Sequence, residues 1–209
     1  MKSENAMVMV VDDDMGVRNA IRSLLKSVGL SSTLYASAQE FLASYQPSQR
    51  GCLVLDIRMP GMSGLELQQQ LTLRGAVVPI IFMTGHGDIP MAVEAMQHGA
   101  FDFLQKPFRD QDLLDRIQRA IAKDELLRKS LGEYARIRAH LESLTPRERE
   151  VLDLMTQGKQ NKSIAQDLGI SPRTIEIHRA RVLEKMNAQS VAELVRMMLD
   201  LGHAAPGAH

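Results

Sequence analysis

Short apolar runs alternate with amphipathic helical patterns along the first part of the chain, up to about residue 122. The runs occupy residues 7–11, 32–35, 51–55, 78–83 and 101–104, and the second is the weakest. Helical spacing is clear between them, as in Val17, Ile21, Leu24, Leu25 and Val28. Strands that are apolar throughout and alternate with helices are typical of a parallel sheet covered on both faces. The pattern therefore predicts an α/β doubly wound fold with a five-stranded parallel sheet.

A different pattern extends from residue 110 to residue 141, where charged residues are dense and proline is absent. Apolar residues still recur in this segment, and its single glycine is Gly132. The pattern predicts one long helix, or two helices that break near Gly132. The apolar spacing is too irregular to decide between a solvated linker helix and a helix that forms a dimerisation seam.

From Ser143 onward the sequence shows only helical patterns, which predict an all-α domain of four helices. The first helix begins at Thr145-Pro146 and ends at Gly158, and the second extends from Asn161 to Gly169. The third extends from Ser171-Pro172 to about Asn187, and Ser190 caps the fourth. Glu148 stands three residues after Thr145, as in a capping box, and proline is favoured in a first helical turn. The predicted organisation is a domain over residues 1–122, a linker helix over 123–142, a helical domain over 143–203 and a disordered tail over 204–209.

Composition narrows the class of protein. The 209 residues carry 25 Lys and Arg against 25 Asp and Glu, so an overall basic character, the crude sign of nucleic-acid binding, is absent. The single cysteine, Cys52, lies in an apolar run and excludes an intrachain disulfide, which fits a reducing compartment. No run reaches the roughly 18 apolar residues of a membrane span, and the first residues lack a signal-peptide pattern. We therefore expect a cytoplasmic protein without a membrane partner.

Acidic residues stand where two of the predicted strands end. Asp12, Asp13 and Asp14 follow the first strand, and Asp56 ends the third. Ligands of parallel sheets bind at the edge formed by the carboxyl ends of the strands, so Asp12, Asp13 and Asp56 can meet there. Carboxylates in one pocket repel each other unless they share a cation, and hard oxygen ligands favour Mg²⁺. Without Asp56, the acidic run would be explained better as a solvated helix start that the helix dipole stabilises.

Two further residues at the same edge complete a candidate phosphoryl site. Thr84 ends the fourth predicted strand, and Lys106 follows the fifth. The carboxylate of Asp56 is then the nucleophile, while Mg²⁺ and Lys106 neutralise phosphoryl oxygens and Thr84 donates a hydrogen bond to the product. A lone lysine before proline is more often a solvated surface charge, but the ordered set of residues at strand ends is far more specific.

The segments VVDDD, LDIRMPGMSG, MTGHGD and LQKPF resemble the signature segments of receiver domains in two-component response regulators. The segment TGHGDIPMAVEAM is particularly similar to the FixJ subgroup. This resemblance implies a flavodoxin-like receiver fold over residues 1–122, with Asp56 as the phosphoacceptor. It also implies a Mg²⁺ site, which Mn²⁺ could share, formed by the carboxylates of Asp13 and Asp56 and the main-chain carbonyl of Arg58, with Asp12 contributing through water.

The same resemblance implies roles for three residues on the last two strands and beyond them. Thr84 and Phe103 form the switch pair, and Lys106 pairs with the phosphate and precedes a cis Lys106–Pro107 bond. Phe103 stands where many receivers have tyrosine, so any hydroxyl contact in the switch is lost. A flip of its ring between buried and exposed positions remains available.

The C-terminal helices carry features of a DNA-binding element, although a generic four-helix cap is the alternative. Gly169 between short helices suits the tight turn of a helix-turn-helix. Residues 159–185 contain six basic residues against three acidic ones, so a neutral chain conceals one basic face. Such a face is the electrostatic footprint of phosphate contact.

Residues 144–187, LTPREREVLDLMTQGKQNKSIAQDLGISPRTIEIHRARVLEKMN, resemble the LuxR-type helix-turn-helix, which makes 173–187 the recognition helix. Helical spacing then assigns Ile175, Val182 and Met186 to the core, and Glu176, Ile177 and Ala180 to base edges. The remaining DNA-binding residues, expected at phosphates or beside them, are Lys162, Arg173, Thr174, His178, Arg181 and Lys185. His178 has a core position with satisfied hydrogen bonds as its alternative. Glu176 and Ala180 replace basic residues of relatives; glutamate accepts from cytosine N4, and Ile or Ala contacts a thymine methyl.

The resemblance implies a transcription factor that a sensor histidine kinase phosphorylates, not an enzyme. We expect phosphorylation of Asp56 to produce a two-fold homodimer on promoter DNA, through the fourth helix (near residues 88–97) and fifth strand, with RNA polymerase as a further partner. One rival is a HAD-type phosphohydrolase, whose Asp-x-Asp-x-Thr motif would begin at Asp12, but Gly16 occupies the threonine position. A second rival is a DNA-binding protein whose receiver is a relic that needs no phosphate.

Overall fold

The structure is a computed structural model that describes residues 6–85 and 89–203, with the backbone alone at Ile89 and His203. The predicted disordered tail lies outside the described residues, as do His86, Gly87 and Asp88 of the MTGHGD segment. The chain divides into two compact units, residues 1–128 and 129–209. None of the helices within the described ranges combines the length and apolar character needed to cross a bilayer.

The first unit contains a five-stranded sheet in the order β2-β1-β3-β4-β5, and every pair of neighbouring strands is parallel. Its elements are β1 (Met7–Val11), α1 (Met15–Ser27), β2 (Ser31–Tyr35), α2 (Ala38–Ser44), β3 (Gly51–Asp56), α3 (Gly64–Leu73), β4 (Ile80–Thr84), α4 (Ile89–Gln97), β5 (Asp102–Gln105) and α5 (Asp110–Glu142). The order departs from the chain order at β1 because connections run to both sides of it. The predicted doubly wound sheet is therefore confirmed.

Apolar side chains cover both faces of the sheet, as the strands without polar alternation predicted. On one face Met9 of β1 belongs to a core with Phe41 of α2. On the other face Val10 of the same strand belongs to a core with Leu25 of α1 and Ile117 of α5. Successive side chains of one strand point to opposite faces, so one apolar run serves two cores. This double burial holds the carboxyl ends of the strands in a fixed arrangement.

Helix α5 is one continuous helix, which confirms the first of the two predicted alternatives; the helix does not break near Gly132. A glycine within a helix costs only about 1 kcal/mol relative to alanine, which neighbouring helix formers offset.

Helix α5 belongs to the first unit as far as Arg128, beyond the predicted boundary at residue 122. A buried ion pair on this part of the helix connects it to the start of β3 and the preceding loop. Asp124 is buried and accepts a hydrogen bond from the backbone N–H of Gly51, the first residue of β3, at 2.9 Å. Arg128 donates through Nε to Asp124 at 2.8 Å and through its other nitrogens to the carbonyls of Pro47 and Gln49. We propose Arg128 as the end of the domain in place of residue 122.

The second unit contains α6 (Pro146–Thr156), α7 (Asn161–Leu168), α8 (Pro172–Lys185) and α9 (Val191–His203), in agreement with the four predicted helices. The predicted capping box of Thr145 and Glu148 is present at the start of α6. Gly169 ends α7 with φ +65°, a left-handed conformation that favours glycine and permits the tight turn into α8. Ile175, Val182 and Met186 are fully buried, as predicted, so α8 packs through that face.

Candidate functional site

Strand register brings the predicted site residues to one edge of the sheet. Val11 of β1 pairs with Leu55 of β3, so the next residues along the two strands, Asp12 and Asp56, are neighbours. Thr84 ends β4, its carbonyl accepts a hydrogen bond from the backbone N–H of Lys106 at 2.7 Å, and Lys106 follows β5 directly. The four side chains therefore converge because parallel strands end on the same side.

Lys106 lies between two buried carboxylates. Its Nζ donates to Asp56 Oδ1 at 2.6 Å and to Asp12 Oδ2 at 2.8 Å. Asp12 and Asp56 are both buried, and the lysine side chain is about a third exposed. One ammonium thus neutralises part of the charge of two anions. The sequence predicted that Lys106 would meet phosphate; in this structure it joins the carboxylates themselves.

The electrostatics of the site disfavour the charged form of Asp56, because burial and the neighbouring carboxylate of Asp12 both raise its pKa. Burial raises the pKa of Asp56 most, and the Asp12 charge raises it further. The ammonium of Lys106 and the backbone N–H of Arg58, which donates to Asp56 Oδ2 at 3.0 Å, lower this pKa without restoring its usual value. Burial opposes the charge on Lys106, but its hydrogen bonds to Asp12 and Asp56 outweigh that effect and raise the pKa of Lys106. A desolvated carboxylate with few donors is a more available nucleophile than one held in water.

The three consecutive acids have separate roles. Asp12 points into the pocket, Asp13 is exposed, and Asp14 is the N-cap of α1, where it accepts from the backbone N–H of Gly16 at 2.6 Å. The helix-start explanation therefore holds for Asp14 alone. Arg18, for which no sequence pattern indicated a role, donates from Nη1 to the carbonyl of Asp12 at 2.6 Å and stabilises this loop.

Across residues 6–85 and 89–203, no three His, Cys, Asp or Glu side chains are grouped so as to hold a metal ion. Mg²⁺ keeps several waters and uses one or two protein carboxylates, so it does not need such a group. Asp12 and Asp56 offer carboxylate oxygens at one edge, with Asp13 exposed beside them. This donor set fits Mg²⁺, whose charge would relieve the repulsion that Lys106 neutralises only in part.

A glycine that contacts the backbone of the acceptor fixes the loop after Asp56. A Cβ at Gly64 would lie 2.3 Å from the carbonyl oxygen of Asp56, which no side chain tolerates. Gly64 is the first residue of α3, whose capping box is formed by Ser63 and Glu66. Thus α3 begins directly against the acceptor residue, and any larger residue at position 64 would displace it.

The two predicted switch residues have different surroundings. Thr84 is buried at the end of β4, whereas the ring of Phe103 on β5 is 41% exposed. Phe103 and Lys106 line an open depression of about 740 Å³ together with Arg109 and Arg116. The Lys106–Pro107 bond is cis, as the resemblance implied.

On α8 the residues expected at base edges share one exposed face. Glu176, Ile177 and Ala180 are all exposed, and Ile177, a large apolar residue, is 49% exposed. An exposed isoleucine among charges is typical of a surface that another molecule covers. Three of the residues expected at or beside phosphates are exposed, namely Lys162, Arg173 and Arg181. The other three are half-buried, namely Thr174, His178 and Lys185.

His178 does not have the satisfied core position that was its alternative. Its ring is half-buried, and Nδ1 is buried without a hydrogen-bond partner among the described residues.

Lys185 forms an ion pair with Glu148, whereas the sequence predicted that it contacts DNA phosphate. Its Nζ donates to Oε2 of Glu148 at 2.7 Å and lies 3.3 Å from the carbonyl of Ser143. Glu148 is buried, and its predicted role was only that of a capping residue. The sequence carried no signal for this pair because its members lie 37 positions apart on different helices.

Comparison with known families gives one match in each unit. Residues 8–118 match the response regulator receiver domain, and residues 142–198 match the bacterial regulatory proteins of the luxR family. The first match covers more than half of the chain.

Similar proteins extend over nearly the whole chain. Nodulation protein W of Bradyrhizobium diazoefficiens is 46% identical over 203 residues, which is 97% of this chain and 89% of that protein. Transcriptional regulatory protein FixJ of Azorhizobium caulinodans is 47% identical and covers 96% of this chain and 95% of its own length. Among solved structures, response regulator StyR is 46% identical with a TM-score of 0.87, over 93% of this chain and 98% of that one.

Proposed function

The chain belongs to the response regulators that join a receiver domain to a LuxR-type DNA-binding domain, and we propose that phosphorylation of Asp56 controls its binding to promoter DNA. Members of this family are transcriptional regulators of two-component systems, which interact with histidine kinases and DNA. The observation that carries the proposal is the Lys106 ammonium at 2.6 Å from the buried carboxylate of Asp56, at the edge formed by the carboxyl ends of the strands.

The proposed chemistry is transfer of a phosphoryl group from a phosphohistidine of the kinase. A carboxylate oxygen of Asp56 attacks phosphorus, the P–N bond breaks, and the leaving imidazole takes up a proton. Lys106 then exchanges its contact with Asp56 for one with a phosphoryl oxygen, and the Thr84 hydroxyl donates to another. The carboxylates of Asp13 and Asp56 and the carbonyl of Arg58 would hold Mg²⁺, with Asp12 acting through water. The ion supplies charge neutralisation during the transfer; Mn²⁺ has the same ligand preference.

Thr84 and Phe103 are proposed to report the phosphoryl group to the surface. A Thr84 hydroxyl that turns toward phosphate vacates space at the end of β4, into which the half-exposed ring of Phe103 can move. Such a movement changes the surface of α4 and β5. Val93 and Met96 of α4 and Phe103 of β5 are exposed large apolar residues, and they support a two-fold homodimer through α4 and β5 after phosphorylation. A DNA-bound dimer would in turn present its receivers to RNA polymerase.

The proposed DNA contacts divide into two classes. Glu176, Ile177 and Ala180 read base edges, while Arg173, Arg181, Lys162, Thr174 and His178 bind phosphate or its surroundings. The exposure of the first three residues on one face of α8 supports this assignment.

The phosphohydrolase rival uses the first aspartate of the run as its nucleophile. In this chain the carboxylate of Asp12 accepts from Lys106 and from the backbone N–H of Asp14 at 2.9 Å. Gly16, at the position of the motif's threonine, has no side chain to offer. The missing threonine side chain argues against the phosphohydrolase, and Asp56 is the acceptor that we propose.

Mass spectrometry after incubation with acetyl phosphate and Mg²⁺ tests the acceptor. We expect one added phosphoryl group on the wild type and on Asp14→Asn, the matched control that alters only a helix cap. Asp56→Asn should gain none, and chelation of Mg²⁺ should prevent the gain in the wild type. Equal phosphorylation of the wild type and Asp56→Asn would overturn the assignment.

Binding isotherms at several salt concentrations test the division of DNA contacts. The probes are a duplex enriched from a randomised library and its scrambled counterpart. Arg181→Ala should weaken binding to both and lower the salt slope by about one unit. Ile177→Ala should lower only the ratio of the two affinities, by a factor that corresponds to about 1–3 kcal/mol. If Arg181→Ala spared scrambled DNA while Ile177→Ala abolished binding to it, the proposed orientation of α8 would be wrong.

A further inference from the structure

The ion pair of Lys185 and Glu148 has a function that neither family membership nor the proposed DNA contacts supply. We propose that Lys185 is a positioning residue, which sets the inclination of α8 against α6, and that it does not bind DNA phosphate. The inference rests on the proposed role of α8 as the helix that reads DNA.

Both members of the pair are held within the second unit. Glu148, in the first turn of α6, accepts from Lys185 Nζ at 2.7 Å and from the backbone N–H of Thr145 at 2.9 Å. Only 4% of the Glu148 side chain is exposed. Lys185 Nζ has a second acceptor, the carbonyl of Ser143, at 3.3 Å. The ammonium is therefore bound to two groups that precede and begin α6.

The place of the pair on α8 explains what it can control. Lys185 is the last residue of α8, and Ser171 caps the other end by accepting from the backbone N–H of Thr174 at 3.1 Å. Between these ends α8 packs on α6 through the apolar residues Ile175 and Val182. Apolar contact is non-directional, so it permits α8 to slide or rotate. A hydrogen-bonded ion pair at one end has a defined geometry and removes that freedom.

The cost of breaking the pair argues against a phosphate contact. If Lys185 turned toward DNA, Glu148 would remain as a buried carboxylate without its cation, and such an unpaired charge is strongly destabilising. Arg173 and Arg181, by contrast, are exposed and need break no buried ion pair to reach phosphate. Arg173 and Arg181 are thus free to contact DNA, whereas the ion pair holds Lys185 within the second unit.

Two substitutions distinguish a positioning role of Lys185, called a clamp below, from a contact with DNA phosphate. Lys185→Met removes the ammonium and keeps most of the apolar stem. Glu148→Gln removes the partner charge, and a glutamine still serves in a capping box. If Lys185 is a clamp, both variants should lose affinity for the enriched duplex by about tenfold, the size expected from one hydrogen bond to a charged group, with the salt slope unchanged. Lys185→Arg keeps the pair and should bind like the wild type.

A phosphate contact predicts a different pattern. Lys185→Met would then lower the salt slope by about one unit on enriched and scrambled duplexes alike, whereas Glu148→Gln would free the ammonium and strengthen binding to both. That result would overturn the inference. The proposed role of α8 in DNA binding would still stand after that result. A failure of that role would be seen in a different variant, Arg181→Ala, as an unchanged salt slope.

The double variant Lys185→Met, Glu148→Gln guards against a general loss of folding. If the two residues act on each other, the effect of Lys185→Met on affinity should shrink when Glu148 is already replaced. Far-UV circular dichroism at the assay temperature checks that each variant is folded. Additive effects of the two substitutions on affinity would contradict a clamp.

Discussion

Two lysine–carboxylate pairs of nearly equal length are used in opposite ways in this chain. Lys106 Nζ lies 2.6 Å from Asp56, and Lys185 Nζ lies 2.7 Å from Glu148. Nevertheless the pKa of Asp56 is raised above its ordinary value, whereas that of Glu148 is lowered to about 2. The distance between the charges therefore does not determine whether a carboxylate is reactive or structural.

Each carboxylate accepts from one lysine and one backbone N–H, so the difference lies in desolvation and in whether the lysine is shared. Asp56 shares its lysine with Asp12, whose negative charge also acts against it, and burial dominates. Glu148 has Lys185 to itself, and this hydrogen bond is the main cause of its low pKa, with the backbone N–H of Thr145 second. A carboxylate whose burial outweighs a shared donor favours reaction with an electrophile. One with sufficient donors favours the folded state.

The largest expected effect separates the two lysines by their influence on phosphorylation. Lys106→Met should slow phosphorylation of Asp56 by acetyl phosphate by about 10²–10³-fold, because removal of one preorganised electrostatic group has that effect in comparable sites. Lys185→Met should leave the rate within about twofold, since the residue belongs to the other unit. Mass spectrometry over time measures both rates. Equal slowing by the two variants would remove the distinction.

A third pair sharpens the comparison. Asp124 is buried, with Arg128 and the N–H of Gly51 as donors, so it should behave like Glu148. Asp124→Asn should lower the free energy of unfolding of the first unit by about 3 kcal/mol, as expected when one partner of a buried pair is lost. Urea unfolding measures the change, and Asp115→Asn on the exposed side of the same helix is the control. A loss no larger than that of the control would show that these donors do not stabilise Asp124.

Removal of charge from the two lysine-paired carboxylates should change stability in opposite directions. Glu148→Gln should lower the free energy of unfolding by about 1–3 kcal/mol near pH 7, because Lys185 loses its anion. Asp56→Asn should raise it, since a desolvated carboxylate is replaced by a neutral amide while Lys106 keeps Asp12. Urea unfolding of the two variants beside the wild type provides the test. A change of the same sign in both would refute the account of the donors.

The smallest expected effect is the pH dependence of the Glu148 contribution. Its pKa is lowered in the folded state from the ordinary 4.5 to about 2. The charged form is therefore stabilised by folding, and the contribution is fully present above pH 4.5 and lost as the pH falls toward 2. The stability difference between the wild type and Glu148→Gln should narrow over this window. A difference that stayed constant from neutral to acid pH would show that the lost stability is not electrostatic.

The sequence predicted the helices, the strands and the strand-end site better than it predicted which side chains form ion pairs. Apolar periodicity and strand ends are local signals, so the sheet and the convergence of Asp12, Asp56, Thr84 and Lys106 followed from them. The partner of Lys185 did not, because helical spacing gives the face of a residue but not the contacts that its long, flexible side chain makes.

The end of the first unit likewise depends on contacts between residues that are distant in the sequence. The periodicity of α5 continues without interruption, and nothing local marks the end of the first unit. Asp124 and Arg128 fasten the helix to backbone groups at positions 47, 49 and 51, more than 70 residues away in the chain. Only the three-dimensional structure brings these groups together.

Binding of the library-enriched duplex before and after phosphorylation tests the central claim most directly. Wild type and Asp56→Asn are each treated with acetyl phosphate and Mg²⁺, and phosphoryl content is measured by mass on the same samples. Phosphorylated wild type should bind the duplex about 5–150-fold more tightly than untreated wild type, the usual range of coupling between two sites. Asp56→Asn should show no change. Equal tightening in both proteins, or none in fully phosphorylated wild type, would contradict control of DNA binding through Asp56.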